Sequence, residues 1–411
     1  MNLAISADRL FTPDEEIANP ILLIRDGQIA ALGPREEVAL PGGAEARHFP
    51  GAVILPGMLD LHIHGGAGHD LMRPDEQGRE RFERHLFRRG VTAYLPTTMT
   101  ASVEATLKAI EFLADGIEAA GQGDQSTGGG ARARFSGRAR PLGIHLEGPF
   151  ISPEKAGVQP VEYMQAPSPE LFERFWQAAR GHIKLMTAAP ELPGAEELIA
   201  IATRRGVTIS LGHSNADYET ARRGIEAGAR HATHTFNAMR ALEHRAPGIA
   251  GAVLSDDRAY AEVIADGLHV HPAIVKLIVR AKGELRSVLV TDAISATGQG
   301  DGRFQLGPVE VQVEGQRCLW NGHLAGSVLT LDRAVRNVME FADLDLATAW
   351  RMASANPARM LGLQPAHGRL LPNAPADLVV ANPAGEILAV FGEGRQLTAL
   401  SSEQTAPASY Y

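Results

Sequence analysis

The stretch PGMLDLHIHG, residues 56–65, is a short apolar run that ends on two histidines one residue apart. In an extended strand residues i and i+2 point to the same side, so His62 and His64 can present two imidazoles to one point. Runs of this texture recur along the chain. They are AVILPGMLDLHIH from Ala52, VTAYLPTTM at 91–99, PLGIHLEG at 141–148, HIKLMTAAPE at 182–191, VTISLGHS at 207–214, RHATHTFN at 230–237, YAEVIADGLH at 260–269 and RSVLVTDA at 286–293. Their spacing averages roughly 30 residues, about the length of one strand with its crossover helix. The intervening segments carry helical signals: 101–120 places apolar residues at helical spacing, and PGAEELIAIATRRG at 193–206 is acidic early, basic late and closed by Gly206. Eight such units predict an α/β fold, a closed (β/α)8 TIM barrel. An open sheet of this order would carry a Gly-rich dinucleotide turn after its first strand, and no GxGxxG lies there.

The two ends of the chain read differently. LAISADRLF and PILLIRDGQIAALG are β-rich runs, with Asp26-Gly27 as a hairpin signal, and the run from Gly368 through ADLVVANPAGEILAVFGEGR has the same texture. The expected organisation is a small β-sandwich domain built from both termini, residues 1–54 and 362–411, around a barrel at 55–361. Residues 121–140, GQGDQSTGGGARARFSGRAR, are expected to form a flexible surface loop. An anion-attracting flap made of Arg132, Arg134, Arg138 and Arg140 would need the active face, whereas this loop enters a strand from the other end.

Composition bounds the function. The 411 residues carry 39 Lys+Arg against 48 Asp+Glu, a formal charge of −9, which excludes the basic footprint of a nucleic-acid binder. The single Cys318 allows no internal disulfide and no cysteine zinc cluster, and no stretch approaches 18 apolar residues. The expectation is a cytoplasmic protein with neither a nucleic-acid nor a membrane partner.

Chemistry-bearing residues gather at the ends of the predicted strands: His62 and His64 on the first, Glu147 on the third, His213 on the fifth, His234 on the sixth, His269 on the seventh and Asp292 on the eighth. Taken singly, each has an ordinary reading: Glu147 could pair with an arginine, and Asp292 could cap a turn. Taken together, imidazoles and carboxylates at the C-terminal mouth of a barrel are the donors a zinc-like divalent ion takes. His145, two residues before Glu147, could face the same lumen, and His231 and His271 are expected to support the site from behind. His48, His85, His182, His244, His323 and His367 read as surface or structural.

With PGMLDLHIHG, GIHLEGPF, TISLGHSNAD, ATHTFNAM, IADGLHV, LVTDA and LAGSVLT in this order, the chain resembles the N-acetylglucosamine-6-phosphate deacetylases of the amidohydrolase superfamily over nearly its whole length. The 20 residues between His213 and His234, and the run from His234 through Asn237-Ala238 to Arg245, carry the resemblance most specifically. It implies that Glu147, His213 and His234 hold one metal. His62 and His64, with Glu147 and Asp292, would make a second site, giving one or two divalent ions per subunit, zinc first, with iron, manganese or cobalt as alternatives. Asp292 corresponds to the catalytic acid/base. Val158, Gln159, Asn237, Ala238, Asp266, His269 and the loop Leu324-Ala325-Gly326 correspond to substrate-contacting positions, and Arg245 to the reader of the phosphate. The resemblance also implies a homodimer in which such an arginine reaches the neighbouring site. Hydantoinase-like relatives bridge two metals with a carboxylated lysine on the fourth strand; here Lys184 sits near the start of that strand and Glu147 takes the bridging place.

One position departs from the family. Where a K-G-A-H stretch is usual, this chain has Lys155-Ala156-Gly157-Val158-Gln159, and Gln159 can donate a hydrogen bond but cannot become cationic. The expected reaction is hydrolysis of the N-acetyl group of N-acetylglucosamine-6-phosphate. The alternatives are another small N-acyl substrate, such as N-acetylgalactosamine-6-phosphate, an unphosphorylated amino sugar or an N-acyl amino acid, and a non-catalytic scaffold of the same fold.

Overall fold

The computed structural model describes residues 2–122 and 137–396. Most of the predicted Gly/Arg-rich loop, including Arg132 and Arg134, and the chain beyond 396 lie outside the described residues.

All eight predicted runs form parallel strands: Met58–Ile63, Val91–Thr98, Ile144–Glu147, Ile183–Ala188, Thr208–Leu211, His231–Ala232, Tyr260–Ile264 and Ser287–Val290. Each pairs with the next. The ring closes where the eighth strand meets the first. There His62 O accepts from Asp292 N at 2.9 Å, and Ala293 O accepts from His64 N at 2.8 Å. The strands are almost continuously apolar because their outer faces are covered by helices, as parallel sheets require. The predicted helix at 193–206 runs Ala195–Arg204 and buries Ala195, Leu198, Ile199 and Ala202, one stripe at helical spacing.

The termini form one mixed sheet of eight strands, in which Asn2–Phe11 lies between Glu45–Pro56 and Pro20–Arg25. The Asp26-Gly27 signal is realised as the turn between Pro20–Arg25 and Gln28–Pro34, with φ of 56° and 83°, values that suit the right-handed twist of a hairpin. The edge of this sheet bonds back to the segment entering the C-terminal hairpin, through Ile29 N to Ala374 O and Asn373 N to Ile29 O. The sheet thereby folds over its own core of Ile5, Leu10, Leu22, Ile29, Ile54, Leu378 and Phe391. Of the arginines considered for a flap, Arg138 pairs with Glu80 at 2.8 Å and Arg140 with Asp377 and Glu393. Both are engaged at the entry to the third strand, and Arg140 ties it to the terminal sheet.

One element was not expected. Between the eighth strand and the last helices the chain forms an antiparallel meander, Gly302–Leu306, Val309–Glu314, Arg317–Trp320 and His323–Leu324. It has a core of its own, including Met99, Ile294, Leu306, Val311, Val313 and Cys318. The alternation VEVQVE between two glycines was its signal.

Trp350, on the helix Leu346–Met352, is wholly buried and donates its ring N–H to Pro56 O at 2.8 Å, where the terminal sheet hands the chain to the barrel. Trp350→Ala should lower unfolding free energy by about 3–5 kcal/mol. Trp350→Phe, which keeps most of the packing but leaves the carbonyl unpaired, should cost about 1–3 kcal/mol. Urea midpoints of the two variants check the ranking.

Candidate metal centre

Six side chains converge at the C-terminal ends of the strands: His62, His64, Glu147, His213, His234 and Asp292, each between 0 and 8% exposed. His62 and His64 share a face of the first strand as the sequence predicts, with Nε2 atoms 3.2 Å apart. Glu147 ends the third strand, and its Oε1 lies 3.3, 3.3 and 3.2 Å from the Nε2 atoms of His62, His213 and His234. The Nε2 atoms of His213 and His234 are 3.1 Å apart. His64 Nε2 lies 3.2 Å from Glu147 Oε2 and 3.2 Å from Asp292 Oδ1. The result is two close groups, His62/His64/Glu147 and Glu147/His213/His234, joined at one carboxylate, the second nearly equilateral about Oε1.

The backbone is bent to achieve this. His213, His234 and Asp292 have φ of 46°, 27° and 48°, in a region L-residues avoid at a cost of ~1–3 kcal/mol each. Local bonds hold the bends. Ser214 N donates to Ala238 O at 3.1 Å, and Ser327 N to Asp292 O at 2.8 Å, so the loop after the meander runs beside the eighth strand's end. Gly326 in that loop has φ of 63°, and a Cβ there would lie 2.4 Å from Ile294 Cγ2.

The donor atoms fit a cation. His213 Nδ1 lies 2.9 Å from Lys155 O, and His62 Nδ1 lies 3.2 Å from Glu262 Oε2. Both acceptors call for the proton on Nδ1, leaving Nε2 with a bare lone pair. Those lone pairs face Glu147 Oε1, which is buried and has no hydrogen bond. Acceptors facing acceptors at this distance repel unless a proton or a cation lies between them. Ligands about 2.0–2.1 Å from a tetrahedral zinc would be separated by about 3.3 Å, close to the observed edges. Charge points the same way. Burial alone would lower the His64 imidazole, but hydrogen bonds and charge from Asp292 and Glu147 push it up to about 9. Burial alone would raise Asp292, yet His62 and His64 bring it down to about 2. Glu147, despite complete burial, is held well below the usual carboxylate range by the same imidazoles. The site has a strongly negative potential that an ion would satisfy with the histidines neutral.

A cavity of about 140 Å³ opens onto this centre. Of the predicted substrate positions, Val158, Gln159, Asn237, Ala238, His269, Leu324, Ala325 and Gly326 line it, together with Met99 and Leu306, which the sequence reading missed. Asp266 stands behind the lining, its Oδ2 2.6 Å from His269 Nδ1, so it fixes that ring. Arg245 is not brought to the cavity. It is exposed at the tip of a turn closed by the mutual main-chain bonds of Glu243 and Ala246. Gln159 spans two partners, donating to Glu147 Oε2 at 2.8 Å and accepting from Thr100 N at 2.7 Å.

Other expectations divide. His145 does face the lumen, its ring centroid 4.6 Å from that of His62, with Nε2 bonded to Thr187 Oγ1 at 2.8 Å. His231 is buried below the centre and bonded to Ser210 Oγ at 3.0 Å. His271 is a correction: it is exposed, and its Nδ1 is engaged in capping the helix Pro272–Arg286, accepting from Ala273 N at 3.2 Å. Lys184 opens the fourth strand and is no part of the centre. Two buried carboxylates were missed. Asp60 accepts from Thr291 Oγ1 at 2.7 Å across the closing seam, and burial lifts it to about 7. Glu262 lies within the seventh strand, and a charged residue inside an apolar run was the available signal.

Comparison with known proteins agrees with this geometry. The sequence model of the amidohydrolase family matches residues 53–397. The chain is 35% identical over 398 residues to the N-acetylglucosamine-6-phosphate deacetylase of Bacillus subtilis (strain 168), covering 96% of each protein. It is equally, 35%, identical over 396 residues to the N-acetylgalactosamine-6-phosphate deacetylase of Escherichia coli O157:H7, covering 96% of this chain and 99% of that one. A mutant N-acetyl-D-glucosamine-6-phosphate deacetylase of Mycobacterium smegmatis, solved in complex with N-acetyl-D-glucosamine-6-phosphate, superposes with a TM-score of 0.87 at 33% identity, over 96% of this chain and 99% of that one.

An imidazole must be neutral to bind a metal, and hydrogen bonds and charge from Asp292 and Glu147 push the His64 imidazole up to about 9. Binding at pH 7 therefore displaces a proton, and affinity should rise with pH until His64 is already neutral. Between pH 6 and 8 the apparent Zn²⁺ affinity of chelator-stripped protein should rise by about tenfold per unit for each proton displaced. Calorimetric titrations in buffers of different ionisation enthalpy count those protons; a flat profile with no proton release would contradict the assignment.

Proposed function

We propose that this chain, which belongs to the amidohydrolase family, hydrolyses the N-acetyl group of N-acetylglucosamine-6-phosphate to glucosamine-6-phosphate and acetate. The observation that carries the reading is the pair of ligand groups sharing Glu147 at the mouth of the barrel, with Asp292 against one of them. His62, His64, Glu147, His213 and His234 are the proposed metal ligands, with Asp292 beside the second group. Zinc is the proposed ion on the strength of the nitrogen and oxygen donors and their spacing; iron, manganese and cobalt take the same donor types. The barrel, residues 55–361, is proposed as the catalytic domain, and 1–54 with 362–411 as its supporting sheet. A cytoplasmic setting is proposed on the single cysteine, Cys318, which is buried and leaves no internal disulfide to form.

A divalent ion bound here would supply Lewis acidity, drawing charge from a carbonyl oxygen and acidifying water from pKa 15.7 to about 7. The chain's own residues do the rest. Asp292, ionised at neutral pH, takes a proton from the attacking water and returns it to the leaving nitrogen as the amide C–N bond breaks. His269, oriented by Asp266, lines the cavity where the sugar must lie. Gln159 takes the family's histidine position with one amide N–H committed to Glu147, so it has one left for substrate. Ligand sites commonly enclose ~300–1,000 Å³, and at about 140 Å³ this cavity is smaller. That favours the dimer reading of Arg245, in which the exposed turn carries the guanidinium to the mouth of a second subunit, where it pairs bidentately with phosphate. Equal identity to a galactosamine-epimer enzyme favours testing both epimers.

Asp292→Asn should bind metal normally while kcat falls by about 10²–10⁴-fold; turnover retained in that variant, read by acetate release, would remove Asp292 from the chemistry. Arg245→Ala should raise KM for the phosphorylated sugar by about tenfold or more and leave the unphosphorylated sugar unchanged. Acetate release from both 6-phosphate epimers, N-acetylglucosamine and N-acetyl amino acids, with and without chelator, tests the substrate class.

A further inference from the structure

Glu262 belongs to none of the roles assigned above, yet it touches both ligand groups. It lies wholly buried in the seventh strand, and no lysine or arginine hydrogen-bonds or ion-pairs with it among the described residues. Its Oε2 is 3.2 Å from His62 Nδ1 and accepts from the main-chain N–H of His234 at 2.7 Å. Its own carbonyl accepts from Thr235 N at 3.0 Å. His234, with φ of 27°, has the smallest positive φ of the three bent site residues, and Glu262 holds the N–H groups of that residue and the next.

We propose that Glu262 is a positioning residue that serves both groups through one oxygen. Accepting from His62 Nδ1 fixes the tautomer that leaves Nε2 free as a donor and, through the carboxylate's charge, makes that donor more basic. Accepting from His234 N holds the bend that turns the His234 ring toward Glu147. The two arms have different chemistry. The His62 arm depends on the negative charge; the His234 arm needs only an acceptor, which an amide oxygen also provides. A change that keeps the acceptor and removes the charge therefore acts mainly on the His62/His64 group, and one that removes the acceptor acts on both.

The inference rests on the metal-centre reading, and its test separates the two. Chelator-stripped wild type, Glu262→Gln and Glu262→Leu are titrated with Co²⁺, following the visible absorption of the bound ion and the stoichiometry by elemental analysis, with circular dichroism of the stripped proteins as the folding control. Wild type should take up two equivalents. Glu262→Gln should retain the first with an unchanged spectrum and bind the second about 10–100-fold more weakly. Glu262→Leu should weaken both; if it does not fold, the glutamine variant alone decides. Failure of wild type to bind Co²⁺ removes the metal-centre reading itself. Wild-type affinities and spectrum in Glu262→Gln, or equal weakening of both equivalents, overturn the positioning role while leaving that reading intact.

Discussion

The seam that closes the barrel is the constraint on which the site depends. A parallel barrel exists only if its last strand pairs with its first, and here that pairing is made by Asp292 N with His62 O and His64 N with Ala293 O. The bonds that close the fold are therefore main-chain bonds of two proposed ligands and of the proposed acid/base, Asp292. Asp60 reinforces the seam from within, its carboxylate bonded to Thr291 Oγ1 on the opposite strand. Anything that opens the barrel at this point also separates His62 and His64 from Asp292.

Around that seam the chain assembles a centre that its own groups leave incomplete. Glu147 Oε1 is surrounded by three imidazole nitrogens, and for His62 and His213 a hydrogen bond on the far ring nitrogen orients the lone pair toward it. Three of these residues are held from behind by different elements: His62 by the seventh strand, His213 by the carbonyl of Lys155 in the loop after the third strand, and Asp292 by the loop that follows the meander. Preorganisation of this kind has a cost, visible in three left-handed backbones, and it is offset by the packing of a barrel whose interior is otherwise closed.

Much of this was legible in the chain. The eight strands were found because each is an apolar run bounded by turn residues, and the clustered imidazoles and carboxylates were singled out because they terminate those runs. The terminal sheet was legible from Asp26-Gly27 and the texture shared by the two ends. The meander at 302–324 was overlooked because its strands are short and its partly exposed faces dilute the apolar signal, although VEVQVE alternates cleanly. His271 was misplaced because proximity in sequence to His269 says nothing about which side of a helix start a ring occupies. Glu262 was passed over because it sits mid-strand, where direction alone separates a lumen residue from one facing a helix.

The sequence by itself determined the architecture, the order of the strands and the residue types at their ends, because those follow from local periodicity and from the chemistry of imidazole and carboxylate. Tertiary structure alone decided that Glu147 stands between two groups, that Gln159 is already bonded to it, that Glu262 reaches both, and that Arg245 is exposed and does not line its own cavity. The physical reason is that these are relations among atoms far apart in the chain, fixed by barrel closure and by side-chain direction. No local pattern encodes them; 200 positions separate His62 from Glu262, and only the closed ring brings them to 3.2 Å.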